Sequence, residues 1–96
     1  MAICGFASEV VRQFFETGHV GHKVGWFALA KVVARKLDML DYAAKLQDLR
    51  SPPANMLELL RGDLKGRYSI RVNDRWRVVF LWTPAGPTDV DVVDYH

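Results

Sequence analysis

The last three residues, Asp94, Tyr95 and His96, set a carboxylate, a phenol and an imidazole side by side. Those groups can orient a reacting molecule, take a proton and return one. Upstream, Arg61, Lys65, Arg67, Arg71, Arg75 and Arg77 fall within residues 61–77, against only Asp63 and Asp74. A guanidinium offers a planar fork of donors that matches phosphate oxygens, and Tyr68 and Trp76 are interleaved with these cations. The segment suits a phosphate backbone, although the same residue types also decorate solvated strand faces. Beyond Val78 there is no Lys or Arg, and Asp89, Asp91 and Asp94 make the tail acidic. His19 and His22 stand in a glycine-rich stretch with no cysteine or acid beside them, which is a poor ligand set for zinc. Cys4 has no base assigned to it and reads as a packing residue.

These groups need elements to hold them. Ser8 can cap a helix whose apolar positions Val10, Val11, Phe14 and Phe15 recur at helical spacing, with Gly18 ending it. The glycine-rich stretch 17–25 predicts a mobile loop. Over 26–44, Leu29, Val32, Val33, Leu37, Leu40 and Ala44 return every three or four positions and predict a second helix, with a short helical turn at 45–49. Ser51, Pro52 and Pro53 then force extended backbone. Past the prolines the period becomes two, predicting strands at 56–60, 67–72, 76–83 and 88–95. Links this short imply an antiparallel meander. The expected fold is a single α+β domain over 1–96, two N-terminal helices packed on a twisted antiparallel sheet of about four to five strands.

Register decides which side chains share a face. A two-residue turn at Asn73-Asp74 would set Arg77 opposite Ile70, whereas a three-residue loop through Arg75 pairs Ile70 with Val78 and Arg71 with Arg77. The second choice keeps the stripe Trp76, Val78, Phe80 and Trp82 in the core and the arginines together on the open face. Its cost is like-charge repulsion between Arg71 and Arg77, tolerable with an anion between them. With Val90 and Val92 inward, Tyr95 joins Asp91 and Val93 on the open face. His96 alternates to the core side unless the last residues leave the strand.

Composition sets the outer bounds. Ninety-six residues, half of them apolar, with a quarter charged, describe one globular domain and exclude disorder, collagen and coiled coil. The net charge of +2 is too mild to announce a nucleic-acid binder, but it averages a basic hairpin with an acidic tail. One cysteine rules out an internal disulfide and fits a reducing compartment. No apolar run reaches a membrane span and no secretion signal is visible, so the expectation is a cytoplasmic protein with no membrane partner.

The residues Leu57-Glu58-Leu59-Leu60-Arg61-Gly62-Asp63, the run from Gly66 to Phe80, the stretches 35–41 and 48–53 and the terminal Asp94-Tyr95-His96 occur in an order and spacing that resembles the HigB branch of the RelE/ParE toxins. These are the toxin halves of bacterial type II toxin–antitoxin pairs, also called plasmid maintenance killer proteins. The resemblance spans nearly the whole chain. It implies a ribosome-dependent mRNA endonuclease, built as a sheet flanked by two N-terminal helices and neutralised by a HigA-like helix-turn-helix antitoxin. Cleavage in this family needs no metal or other cofactor: the 2′-hydroxyl of the RNA attacks the adjacent phosphate and leaves a 5′-hydroxyl. The resemblance makes Arg77 the phosphate and transition-state contact, Tyr95 the base or nucleotide-orienting group and His96 the acid or phosphate contact, with Asp94 beside them. Arg61 stands at the family's lysine position; it holds charge but donates protons poorly. Arg67, Arg71, Lys65 and Arg75 are the expected RNA contacts.

Some members carry histidine where this chain has Glu58. Glu58 can act as a base only if its pKa rises from about 4.3; its ordinary role is an ion pair with a neighbouring arginine. Two alternatives share the fold: a ParE-like inhibitor of DNA gyrase, against which the terminal motif counts, and an idle toxin-like protein that only binds RNA or an antitoxin.

Overall fold

The computed structural model describes residues 2–94. Helix α1 (Glu9–Thr17) starts where Ser8 Oγ accepts the Val11 N–H at 3.3 Å, satisfying a donor that the first turn would leave open. It stops at Gly18, whose φ of 78° is left-handed and whose N–H donates to the Phe14 carbonyl at 2.8 Å. Helix α2 runs over Ala30–Tyr42, shorter than the predicted 26–44. Most of the difference lies at its start, where Phe27–Leu29 tighten into a 3-10 turn; at its end Ala43 already takes an extended backbone. The buried ring of Trp26 meets Phe14 edge-on at 5.1 Å and anchors that turn to α1.

Four antiparallel strands follow in the order β1 (Glu58–Leu59), β2 (Tyr68–Arg71), β3 (Trp76–Thr83) and β4 (Gly86–Asp94). The three-residue loop is the one formed, since Ile70 pairs with Val78 and Arg71 with Arg77. Asn73 organises it by accepting the N–H groups of Arg75 and Trp76 through its side chain. The first strand is shorter than 56–60, because Pro53–Asn55 form a 3-10 turn and Met56 takes a left-handed φ of 48°. The last strand begins earlier than expected, at Gly86, after a tight Pro84-Ala85 turn closed by the Thr83 hydroxyl donating to the Gly86 carbonyl. The register of β3 and β4 slips between Val79 and Leu81, where Asp89 sits at φ 51° as the extra residue of a bulge. The extended N-terminal segment adds a parallel bridge, Phe6 to Val90, along the outer side of β4.

The core lies between the helices and one sheet face. Val11, Phe14, Val33, Leu37 and Leu40 meet Ile70, Val78, Phe80, Val90 and Val92, all buried. The stripe Trp76, Val78, Phe80 and Trp82 belongs to this layer, as its alternation implies. A second buried feature ties the layers together. Lys36 of α2, 5% exposed, donates to the fully buried Asn55 Oδ1, and Asn55 Nδ2 donates to the Leu49 carbonyl at 3.1 Å. Burial, then the charges of Arg35 and Arg71, hold the Lys36 ammonium below the ordinary lysine value. Among the described residues no helix is long and apolar enough to cross a membrane.

Candidate functional site

Pleating places Glu58, Ser69, Arg71, Arg77 and Asp91 on the sheet face opposite the helices, because residues directly paired across strands project to the same side. Arg77 lies at its middle with 14% of its side chain exposed. Its Nη1 donates to the Ser69 hydroxyl at 3.2 Å and stands 3.5 Å from Glu58 Oε1. One guanidinium nitrogen of β3 thus meets groups of both β2 and β1. Glu58 takes the arginine-paired role rather than standing alone.

The like-charge contact between Arg71 and Arg77 is offset within the protein. Arg71 pairs with Asp74 in the turn and Arg77 with Glu58, so no external anion is required between them. The same holds more widely. Arg67 reaches Asp89 at 3.3 Å and Arg75 reaches Asp94 at 2.7 Å. Four of the six cations of segment 61–77 therefore face a carboxylate, and the uncompensated basic face implied by counting along the chain is corrected to a charge-paired one. The reason is topological: pairing β3 with β4 lays the acidic tail beside the basic hairpin. Arg61 and Lys65, in the loop around the Gly62–Leu64 turn, form no ion pair among the described residues.

The expected site residues separate into groups. Arg77, Arg71 and Glu58 come together on one face, with Arg67 at its Asp89 end. Asp94 pairs opposite Trp76, on the helix-facing side at the sheet margin, where Arg75 holds it and also lies 6.0 Å from the Trp76 ring centre. Arg61 and Lys65 project from the adjoining loop. Tyr95 and His96 lie outside the described residues.

Residues that charge counting passed over also belong to this face. Ser69 is fully buried and fixes Arg77; its signal was its place between Arg67 and Arg71 in a period-two run. Asp91 lies opposite Val79, which is only 2% exposed although it is outside the helix-packed core. Burial pushes the Asp91 carboxyl above the ordinary aspartate range, opposed by the Val92 N–H donating at 2.8 Å and by the charge of Arg67. The face therefore presents guanidinium groups at fixed positions, each beside a carboxylate, next to an aspartate raised above its ordinary range by burial.

Residues 4–96 match the family described as the RelE-like toxin of type II toxin–antitoxin system HigB. Toxin HigB-1 of Vibrio cholerae serotype O1 is 40% identical over 77 residues, which make up 80% of this chain and 80% of that protein. An uncharacterized protein of Haemophilus influenzae is 43% identical over 77 residues, covering 80% of this chain and 75% of its own length. The fold resembles a chain of the YoeB-YefM complex from Staphylococcus aureus, with a TM-score of 0.55 at 20% identity over 100% of this chain and 97% of that one. Sequence match along almost the full length, with the paired helices and antiparallel sheet, makes this chain a member of the HigB-like toxins of type II toxin–antitoxin systems.

Proposed function

We propose that this toxin is a ribosome-dependent mRNA endonuclease of the bacterial cytoplasm, cleaving by attack of the RNA 2′-hydroxyl on the adjacent phosphate. The observation that carries the reading is Arg77, pinned by Ser69 and Glu58 on the sheet face opposite the helix-packed core. A guanidinium already held in place loses little freedom when a phosphate arrives, and it can donate twice to the extra charge of the transition state. Arg71 lies directly across the strand pair and supplies a second fork. Glu58, 3.5 Å from the same guanidinium, is the nearby carboxylate assigned to take the 2′-hydroxyl proton. Tyr95 and His96 are assigned the nucleotide-orienting and proton-donating roles that the family motif implies. Asp94 and Arg75 support the terminal segment, and Arg61, Lys65 and Arg67 hold flanking phosphates.

The proposed partners are the ribosome, mRNA and a HigA-like helix-turn-helix antitoxin. Support for an antitoxin comes from family membership. A reconstituted translation system programmed with mRNA tests the activity. Arg77→Ala is expected to slow cutting about 100-fold or more, as for loss of other charge-stabilising donors. Removing Tyr95 and His96 is expected to do the same, and the cut RNA should carry a 5′-hydroxyl. Unchanged cutting by both variants, or a 5′-phosphate end, overturns the proposal.

A further inference from the structure

Three aspartates serve the backbone. Asp41 accepts the Ile3 N–H, Asp48 accepts the N–H groups of Ala44 and Lys45, and Asp91 accepts that of Val92. Asp74 and Asp89 differ. Among the described residues each of their side chains has a single polar partner, which is Arg71 for Asp74 and Arg67, at 3.3 Å, for Asp89. Arg71 ends β2 and Arg67 directly precedes it, so alternation puts both guanidinium groups on the face that carries Arg77. Neither acid is part of the packed core: Asp74 lies in the hairpin loop with 94% of its side chain exposed, and Asp89 in the bulge of β4 with 47% exposed.

A carboxylate and a phosphate offer a guanidinium the same kind of acceptor oxygens and the same sign of charge. Each aspartate therefore occupies donors that a phosphate would use. An exposed pair of this kind is weak, worth less than about fivefold in an equilibrium, so a phosphate delivered at high effective concentration displaces it. RNA arriving from solution has no such help. It must displace both pairs, and it releases no counterion from either arginine in doing so. Glu58 and Asp94 also face arginines, but they stand among the assigned reacting residues. Asp74 and Asp89 carry no such role.

We propose that Asp74 and Asp89 are specificity-determining residues that act as internal stand-ins for phosphate, holding free single-stranded RNA off the sheet face while leaving it open to RNA presented by the ribosome. The inference rests on the RNA-cleaving reading given above. The test combines Asp74→Asn with Asp89→Asn in the full chain; asparagine suits a turn and, at residue 89, the left-handed φ of 51°. The control combines Asp38→Asn with Asp63→Asn, which changes net charge equally but frees no arginine, since neither acid forms an ion pair among the described residues. Anisotropy with a labelled, uncleavable 2′-O-methyl RNA should show the first variant binding about tenfold tighter than the wild type at low salt, with a log–log salt slope steepened from about −1.4 to about −2.8 as the number of free cations rises from two to four. The control should keep the wild-type slope. In the programmed-ribosome assay, unlabelled free RNA should inhibit cutting by the first variant at about tenfold lower concentration than it inhibits the wild type. A wild-type slope in the first variant, equal tightening by the control, or unchanged competition overturns the proposal. A steeper slope together with intact mRNA on ribosomes given the wild type would retain the masking of the arginines and reject the nuclease.

Discussion

Asp91 and Lys36 show how position sets the behaviour of a single ionisable group. The Asp91 carboxyl is raised above its ordinary range, chiefly by burial, so the folded chain binds that proton more tightly than the unfolded chain. Stability from this group therefore increases as pH falls from above its folded pKa towards the ordinary aspartate range, and is lost as pH rises. Asp91→Asn, which keeps an acceptor for the Val92 N–H, should gain on the wild type at neutral pH. That gain should shrink on acidification, as followed by denaturant midpoints across a pH series. Lys36 is the opposite case. Its pKa is lowered, mainly by burial, so the folded chain holds the proton less tightly and stability rises as pH climbs through the folded pKa towards the ordinary lysine value. Asn55 Oδ1 accepts from that ammonium. Asn55→Ala should cost about 2–3 kcal/mol at neutral pH, since a hydrogen bond to a charged, buried group is lost. Thermal unfolding would measure this, and a penalty that did not shrink at alkaline pH would contradict the assignment.

Among the elements, the β2–β3 hairpin sets the geometry of the site. Its three-residue loop, closed by Asn73, aligns Arg71 with Arg77 and places Ser69 under the guanidinium. The bulge at Asp89 serves the other margin, letting that carboxylate meet Arg67 at 3.3 Å. The link between the helices is equally constrained. A Cβ on Gly25 would lie 2.7 and 2.8 Å from two ring carbons of Trp76, the first residue of β3. Gly25→Ala must push that ring aside, and overpacking of this kind costs about 1–3 kcal/mol. The variant is expected to melt lower and to change its near-ultraviolet circular dichroism, since Trp76 and its neighbours would shift. An unchanged Trp76 environment would show that the loop moves instead.

At the scale of the whole molecule, charge pairing governs how the protein would meet RNA. A cation already neutralised by a carboxylate releases no bound counterion when it exchanges that partner for a phosphate. Only Arg61 and Lys65 of the basic segment lack an ion pair among the described residues. Single-stranded binding loses about 0.7 in log–log salt slope per phosphate neutralised, so these two predict a slope near −1.4, whereas all six cations would give about −4. Fluorescence anisotropy with a labelled RNA across a salt series decides between them. The sequence by itself determined the order of helices and strands, the Ser8 and Gly18 caps, the Ile70–Val78 register and the family motifs, because periodicity, capping and turn chemistry act between residues close along the chain. The tertiary structure alone decided that Glu58 meets Arg77, that Asp89 and Asp94 meet Arg67 and Arg75, that Lys36 is buried on Asn55, and that a cavity opens between Arg50 and Tyr68. Those contacts join segments up to 22 residues apart, as in Arg67 and Asp89. Their partners are chosen by strand order, a bulge and the packing of a short turn, none of which a local pattern of residue types records.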